Sequence, residues 1–190
     1  MTPLSRYAAR FGATIRAHPA TEPIPGVGGG VVVVVPTGTW RDVDDLLADP
    51  RTDTTAALLV APGLQRDGFV PNVVATTSVF TPAVPADGLL SAVEACMADA
   101  EAWRVRARSV AVTGGAVGGG VARNDDNDDD EDLTLDLVAE YRVGRVALAL
   151  SSLVRVRNSG GVTVLWQTHV TTLADQISQH SAGLAAARVG

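Results

Sequence analysis

The chain contains no lysine: all fifteen of its basic residues are arginine. That absence reflects the base composition of the gene more than a function. Cysteine is almost missing as well, and with Cys96 as the only one no internal disulfide can form. The fold is therefore indifferent to a reducing compartment. Long hydrophobic runs are also lacking, the longest being Val31 to Val35, far short of the ~20 residues that span a bilayer as a helix. Positive charge is in deficit, with a net charge of −6. Apart from Arg104, Arg106 and Arg108 the arginines are scattered, so there is no basic face to meet a phosphate backbone, and nucleic acid is excluded as a partner. The first 25 residues lack the apolar core of a secretory signal, and Cys96 lies far from any lipid-attachment position, so the sequence as written reads as cytoplasmic.

What is present is a hydrophobic fraction of 46% over 190 residues, enough for one domain with a real core. The last third is the most regular part. Leu133, Leu135, Leu137, Ala139 and Tyr141 alternate with polar residues, as do Val146, Leu148, Leu150, Val154 and Val156, and then Val162, Val164, Trp166 and Val170. This is the period of strands with one buried face, and it predicts an antiparallel meander. Bringing the apolar rows together predicts Val156 opposite Val162 and Val154 opposite Val164, around an Asn158-Ser159-Gly160 loop. A four-residue loop from Arg142 to Arg145 is expected before it, because Val143 at positive φ would be strained.

Upstream, Leu4, Tyr7, Ala8, Phe11 and Ile15 recur at helical spacing until Pro19, Pro23 and Pro25 forbid continuation. Residues 1–25 therefore read as a helix and extended arm, and 26–190 as a single domain. Strands are expected at 31–35, 56–60, 72–79, 106–113 and 116–123, with a helical turn near Asp42 to Leu47. Asp87 can cap a helix reaching Trp103, whose Leu89, Leu90, Val93, Cys96 and Met97 form an apolar stripe. A last helix is expected from about Thr172, with Leu173, Ile177 and Leu184 on one face. Strands grouped with helices before and after them indicate an α+β fold with a largely antiparallel sheet flanked by helices.

Three patterns occur in a familiar order: a valine-rich strand ending at Pro36-Thr37-Gly38-Thr39-Trp40, then Asp67-Gly68-Phe69-Val70-Pro71-Asn72, then the meander and final helix. The sequence resembles the actinobacterial LpqN/LpqT family of envelope proteins, within the PsbP-like group of α/β/α sandwiches. The resemblance implies a central antiparallel sheet with helices on its faces. It further implies a non-enzymatic binding or scaffold role toward a protein partner or an envelope lipid or glycolipid, and a cell-envelope or secreted location. It carries over no catalytic residue, cofactor or metal.

Residues with chemical potential read structurally for the most part. Gly114, Gly115, Gly118, Gly119 and Gly120 lack the lysine and Ser/Thr of a phosphate loop. Asp67 to Asn72 reads as turn chemistry with Phe69 anchored in the core. Cys96, on the apolar stripe, reads as a small buried hydrophobe. Among His18, His169 and His180, alternation puts His169 with Gln167 and Thr163 on the face opposite Trp166. A hydrolase built from His169 and a nearby serine is the alternative function. Its Ser152, His169 and Asp175 triad is opposed by the expectation that Ser152 lies on the other face, and by the lack of a nucleophile elbow.

The acidic run from Asn124 to Asp132 invites a calcium reading. With Asp125, Asn127 and Asp129 as ligands, however, the turn glycine falls on Asp130 and the closing glutamate on Asp136. A solvated loop is the better account, and a Gly-Ser replacement of 124–132 is expected to change stability by no more than ~1 kcal/mol. Millimolar calcium should leave the melting temperature where magnesium at equal ionic strength leaves it; a calcium-specific rise of several degrees would establish a metal site.

Overall fold

The computed structural model of the chain describes residues 1–19, 24, 27, 31–32, 40–43, 56–112, 132–176 and 188–189. Two helices are described, α1 (Pro3–Arg10) and α2 (Ala86–Met97). The strands are β1 (Thr14–His18), β2 (Val31–Val32), β3 (Arg41–Asp42), β4 (Ala56–Val60), β5 (Asn72–Thr81), β6 (Arg104–Val112), β7 (Asp132–Val143), β8 (Val146–Ser159), β9 (Val162–Leu173) and β10 (Arg188–Val189). The main sheet runs β3-β4-β5-β9-β8-β7-β6, with β1 also paired to β5, and every pairing is antiparallel. The α+β class expected from the sequence is the class observed. A separate ribbon of β2 and β10 lies against β5 and β9.

The meander is present, but both of its turns are tighter than expected. Val143 pairs with Val146, which puts Gly144 at φ +59° at the first central position and leaves Val143 in the strand. Ser159 pairs with Val162, so Gly160 and Gly161 form a two-residue turn with both φ positive, a conformation only glycine adopts without strain. Val156 therefore lies opposite Leu165, and Val154 opposite Gln167. The expected pairing of Val156 with Val162 and Val154 with Val164 was three residues out of register. Because three is odd, the two valine rows lie on opposite faces instead of meeting.

Each face consequently has its own core. On one, α2 buries Leu89, Leu90 and Val93 against Leu133, Leu135, Leu137, Val154, Val156, Leu165 and Phe80. On the other, Ile24 packs with Ala75, Val164 and Trp166. Trp166 is 2% exposed. Arg155 lies over its ring at 5.7 Å and donates from Nε to Asp132 at 2.8 Å, while its terminal nitrogen pairs with the same carboxylate. Asp132 is therefore a buried member of β7, against the expectation that it belongs to a solvated run, and a replacement of that run must spare it. Residues 124–131 lie outside the described residues, as do the glycine-rich 114–120, the expected strand at 116–123, Pro36 to Thr39, and His180.

Other boundaries also moved. Helix α1 ends at Arg10, and after a turn at Gly12 Ile15 enters β1, so part of the expected arm is a strand of the main sheet. Asp42 is in β3, and 44–47 of the expected helical turn lie outside the described residues, as do 33–35 of the expected valine-rich strand. Helix α2 stops at Met97, and Asp87 sits in its first turn while Pro85 holds the cap position. Cys96 is exposed although it falls on the same helix face as Leu89, Ala92 and Val93, because it sits in the last turn of α2, past Val93 where the fully buried residues end. Thr172 and Leu173 belong to β9, and the rest of the expected C-terminal helix lies outside the described residues. Truncating Trp166 to alanine should cost about 3 to 5 kcal/mol, read as a fall in the urea midpoint at constant slope.

Candidate functional site

The α2 face is apolar where the helix covers it and mixes polar with apolar residues beyond. Register places Leu137, Ser152, His169 and Val74 in one row across β7, β8, β9 and β5. The next row holds Ala139, Leu150, Thr171 and Asn72, and the row after it Tyr141, Leu148 and Leu173. Ser152 and His169 are therefore on one face, which overturns the expectation that they were separated. Ser152 Oγ lies 2.9 Å from His169 Nδ1. The error follows from the register: an odd slip between β8 and β9 exchanges the face of every β9 residue relative to β8.

His169 keeps a partly exposed edge, but protein surrounds most of its ring. Withdrawal from water disfavours the imidazolium and lowers the pKa to about 4. Ser152 is 1% exposed. Asp175, the imagined third member, is engaged elsewhere: Arg66 donates to both of its carboxylate oxygens at 2.7 and 2.6 Å, which holds that carboxyl below its ordinary range. Among the described residues no group of three or more His, Cys, Asp or Glu is placed to hold a metal ion.

Concavity lies further toward the β7–β8 turn. A cavity of about 350 Å³ is lined by Phe69, Asn72, Tyr141, Val143, Leu148 and Thr171, among others. A neighbouring one of about 570 Å³ is lined by Arg66, Arg145, Ala147, Leu173 and Asp175, and the two share Asp67 and Val146. The Asp67-Gly68 turn supplies the outer wall. Asp67 and Gly68 have φ of 54° and 76°, and Arg66 and Phe69 exchange backbone hydrogen bonds of 3.0 and 2.9 Å across them. Turn chemistry was legible in that motif; the placement of Phe69 was not. Instead of anchoring in the core, it is half-buried against the cavity. Trp103 lies behind Tyr141, with ring centroids 6.3 Å apart. Tyr141 and Leu148 were read only as strand residues and Val143 as part of a loop, since nothing in the alternation distinguishes a cavity floor from a core.

The architecture defines an α+β sandwich protein with a cavity at one end of an antiparallel sheet. Among solved structures it is similar to that of LpqN from Mycobacterium tuberculosis, described as involved in cell envelope biogenesis. The TM-score is 0.66 with 16% sequence identity, over 96% of this chain and 91% of that one. A Pseudomonas aeruginosa protein of unknown function, PA94, described as a putative regulator, aligns with a TM-score of 0.40 and 11% identity over 72% of this chain and 81% of that one. The sequence matches no family model and no curated protein. Among the described residues no helix is long and apolar enough to cross a membrane.

The unfolded chain binds the His169 proton near 6.5 and the folded one near 4. Its contribution to stability is complete above pH 6.5 and is lost as pH falls from there to 4, by roughly 3 kcal/mol at most. His169→Gln should flatten that slope: urea-unfolding free energies at pH 4.5 and 7.5 should converge by about 2 kcal/mol relative to the parent.

Proposed function

We propose that this chain is a non-catalytic binding protein whose paired cavities receive an envelope lipid or glycolipid. The apolar part lies along Phe69, Tyr141, Val143 and Leu148, and the polar head meets Arg66, Asp67, Arg145 and Asp175. The observation that carries this reading is the composition of the site. An aromatic and aliphatic wall adjoins a rim of alternating donors and acceptors, the arrangement that holds an amphiphile by its chain and orients it by its head. Similarity of fold to a protein described as acting in cell envelope biogenesis supports the same reading and the envelope location that accompanies it.

The hydrolase reading is favoured by the Ser152 to His169 contact. Against it stand the burial of the serine and the commitment of Asp175 to Arg66. Hydrolysis needs a nucleophile that substrate can reach and a base held by a third group.

Dodecyl maltoside provides a probe with one alkyl chain and a sugar head, and the emission of Trp103, beside Tyr141, provides the readout. Val143 is 60% exposed, so Val143→Asp should leave the melting temperature intact. It should weaken binding at least ~10-fold, about 1.4 kcal/mol. Ser152→Ala should bind like the parent, and neither protein should turn over a p-nitrophenyl ester. Ester hydrolysis lost in Ser152→Ala would establish the enzyme instead, and undiminished binding by Val143→Asp would remove the cavity from the account.

A further inference from the structure

Strand β6 ends the main sheet, and among the described residues it pairs only with β7. All nine of its residues are exposed. Among the described residues, three of the seven exposed large hydrophobic side chains are on this one strand: Val105, Val110 and Val112 at 46%, 44% and 70%. An edge of this length presents a row of backbone N–H and C=O groups that another chain can complete.

The strand is chemically polarised along its length. Its first half carries Arg104, Arg106 and Arg108, the densest run of positive charge in a chain of net charge −6. Its second half carries two of the three exposed valines, Val110 and Val112. Arg106 pairs with Glu140 at 2.5 Å and Arg108 with Glu94 at 2.6 Å, but the arginines of both pairs are about half exposed. Such pairs are worth little, so an incoming carboxylate can share these guanidinium groups.

A second copy of the chain fits this edge poorly. Antiparallel self-pairing centred on Arg108 sets that arginine against itself, and the register shift between Val105 and Ala107 interrupts the outer row. Bulges and like charges of this kind oppose edge-to-edge association of identical sheets. A strand of complementary charge meets no like-charge opposition, and its backbone can pair along the regular part of β6 from Ala107 to Val112.

We propose that β6 is a strand-addition site for an extended segment of a partner protein, acidic where it passes Arg104, Arg106 and Arg108 and β-branched where it passes Val110 and Val112. Backbone hydrogen bonds supply the attachment, and the two halves of the edge set its direction. This surface is separate from the cavities at the β7–β8 turn, so either can fail without the other.

The test uses the whole chain and a nine-residue peptide, antiparallel in sense, with threonine and valine in its first half and threonine and glutamate in its second. Amide resonances of β6 should shift on titration while those of Tyr141 and Val146 stay in place. N-methylation of alternate peptide nitrogens, replacement of its glutamates by lysine, and Arg104→Glu in the protein should each weaken binding at least tenfold. Val112→Asp, at the other end of the edge, should do likewise, with melting temperatures confirming that both variants fold. Equal binding of the N-methylated peptide, or none at millimolar concentration, would overturn the proposal. So would sedimentation showing a dimer that Val112→Asp dissociates, since the edge would then belong to a second copy.

Discussion

The two-glycine turn between β8 and β9 is the constraint on which the rest of the structure depends. Gly160 and Gly161 both take positive φ, so the strands can turn back in two residues and Ser159 meets Val162. From that one pairing follow the positions of Leu165 under α2, of Trp166 on the opposite face, and of His169 beside Ser152. A longer loop with an odd slip would have placed Trp166 where Leu165 now packs. Since side chains alternate strictly along a strand, no local adjustment could repair that exchange.

The two faces solve the problem of burial differently. Beneath α2 the contacts are aliphatic apart from Phe80, and tyrosine takes part at the close helix crossing: Tyr7 of α1 donates its hydroxyl to the Pro85 carbonyl at 2.8 Å. Tyr7 also occupies the space where a side chain on Gly88 would begin, so a larger residue there requires the Tyr7 ring to shift. On the Trp166 face a part-buried ion pair is stacked on the indole. Removing Asp132 and Arg155 from water is unfavourable, and it is offset by fork geometry and ring contact more than by bare charge attraction. The same face holds a row of buried polar atoms that have no hydrogen-bond partner among the described residues, Nε2 of His18, Oγ1 of Thr77 and Nε1 of Trp166, aligned by the pairing of β1 with β5 and of β5 with β9. Each opposes folding by about 1 to 3 kcal/mol, so this face depends on its apolar contacts more heavily than the other.

Function, on this reading, is located where the layers stop. Helix α2 covers only part of its face, and the sheet beyond it offers cavities; β7 has β6 as its neighbour, and β6 offers an edge. A lipid site and a protein site on separate boundaries of one sheet would let a binding protein hold a ligand and a partner together. The Ser152 to His169 contact fits within this picture as an internal hydrogen bond that satisfies a buried hydroxyl.

By itself the sequence determined the class of the fold, the three long strands of the meander, the helix beginning near Asp87, and the side of β9 on which His169 lies relative to Trp166. All of these rest on periodicity within one segment, which local alternation of apolar and polar residues specifies. Only the tertiary structure decided the register between segments, the entry of residues 14–18 into the sheet, the burial of Asp132, the exposure of Cys96 and the cavity beside Phe69 and Tyr141. Each of these depends on which residues of distant segments become neighbours. Alternation gives every strand two faces but does not say which face of the next strand it will meet. Here that choice was made by two glycines, whose backbone freedom leaves no trace in the hydrophobic pattern.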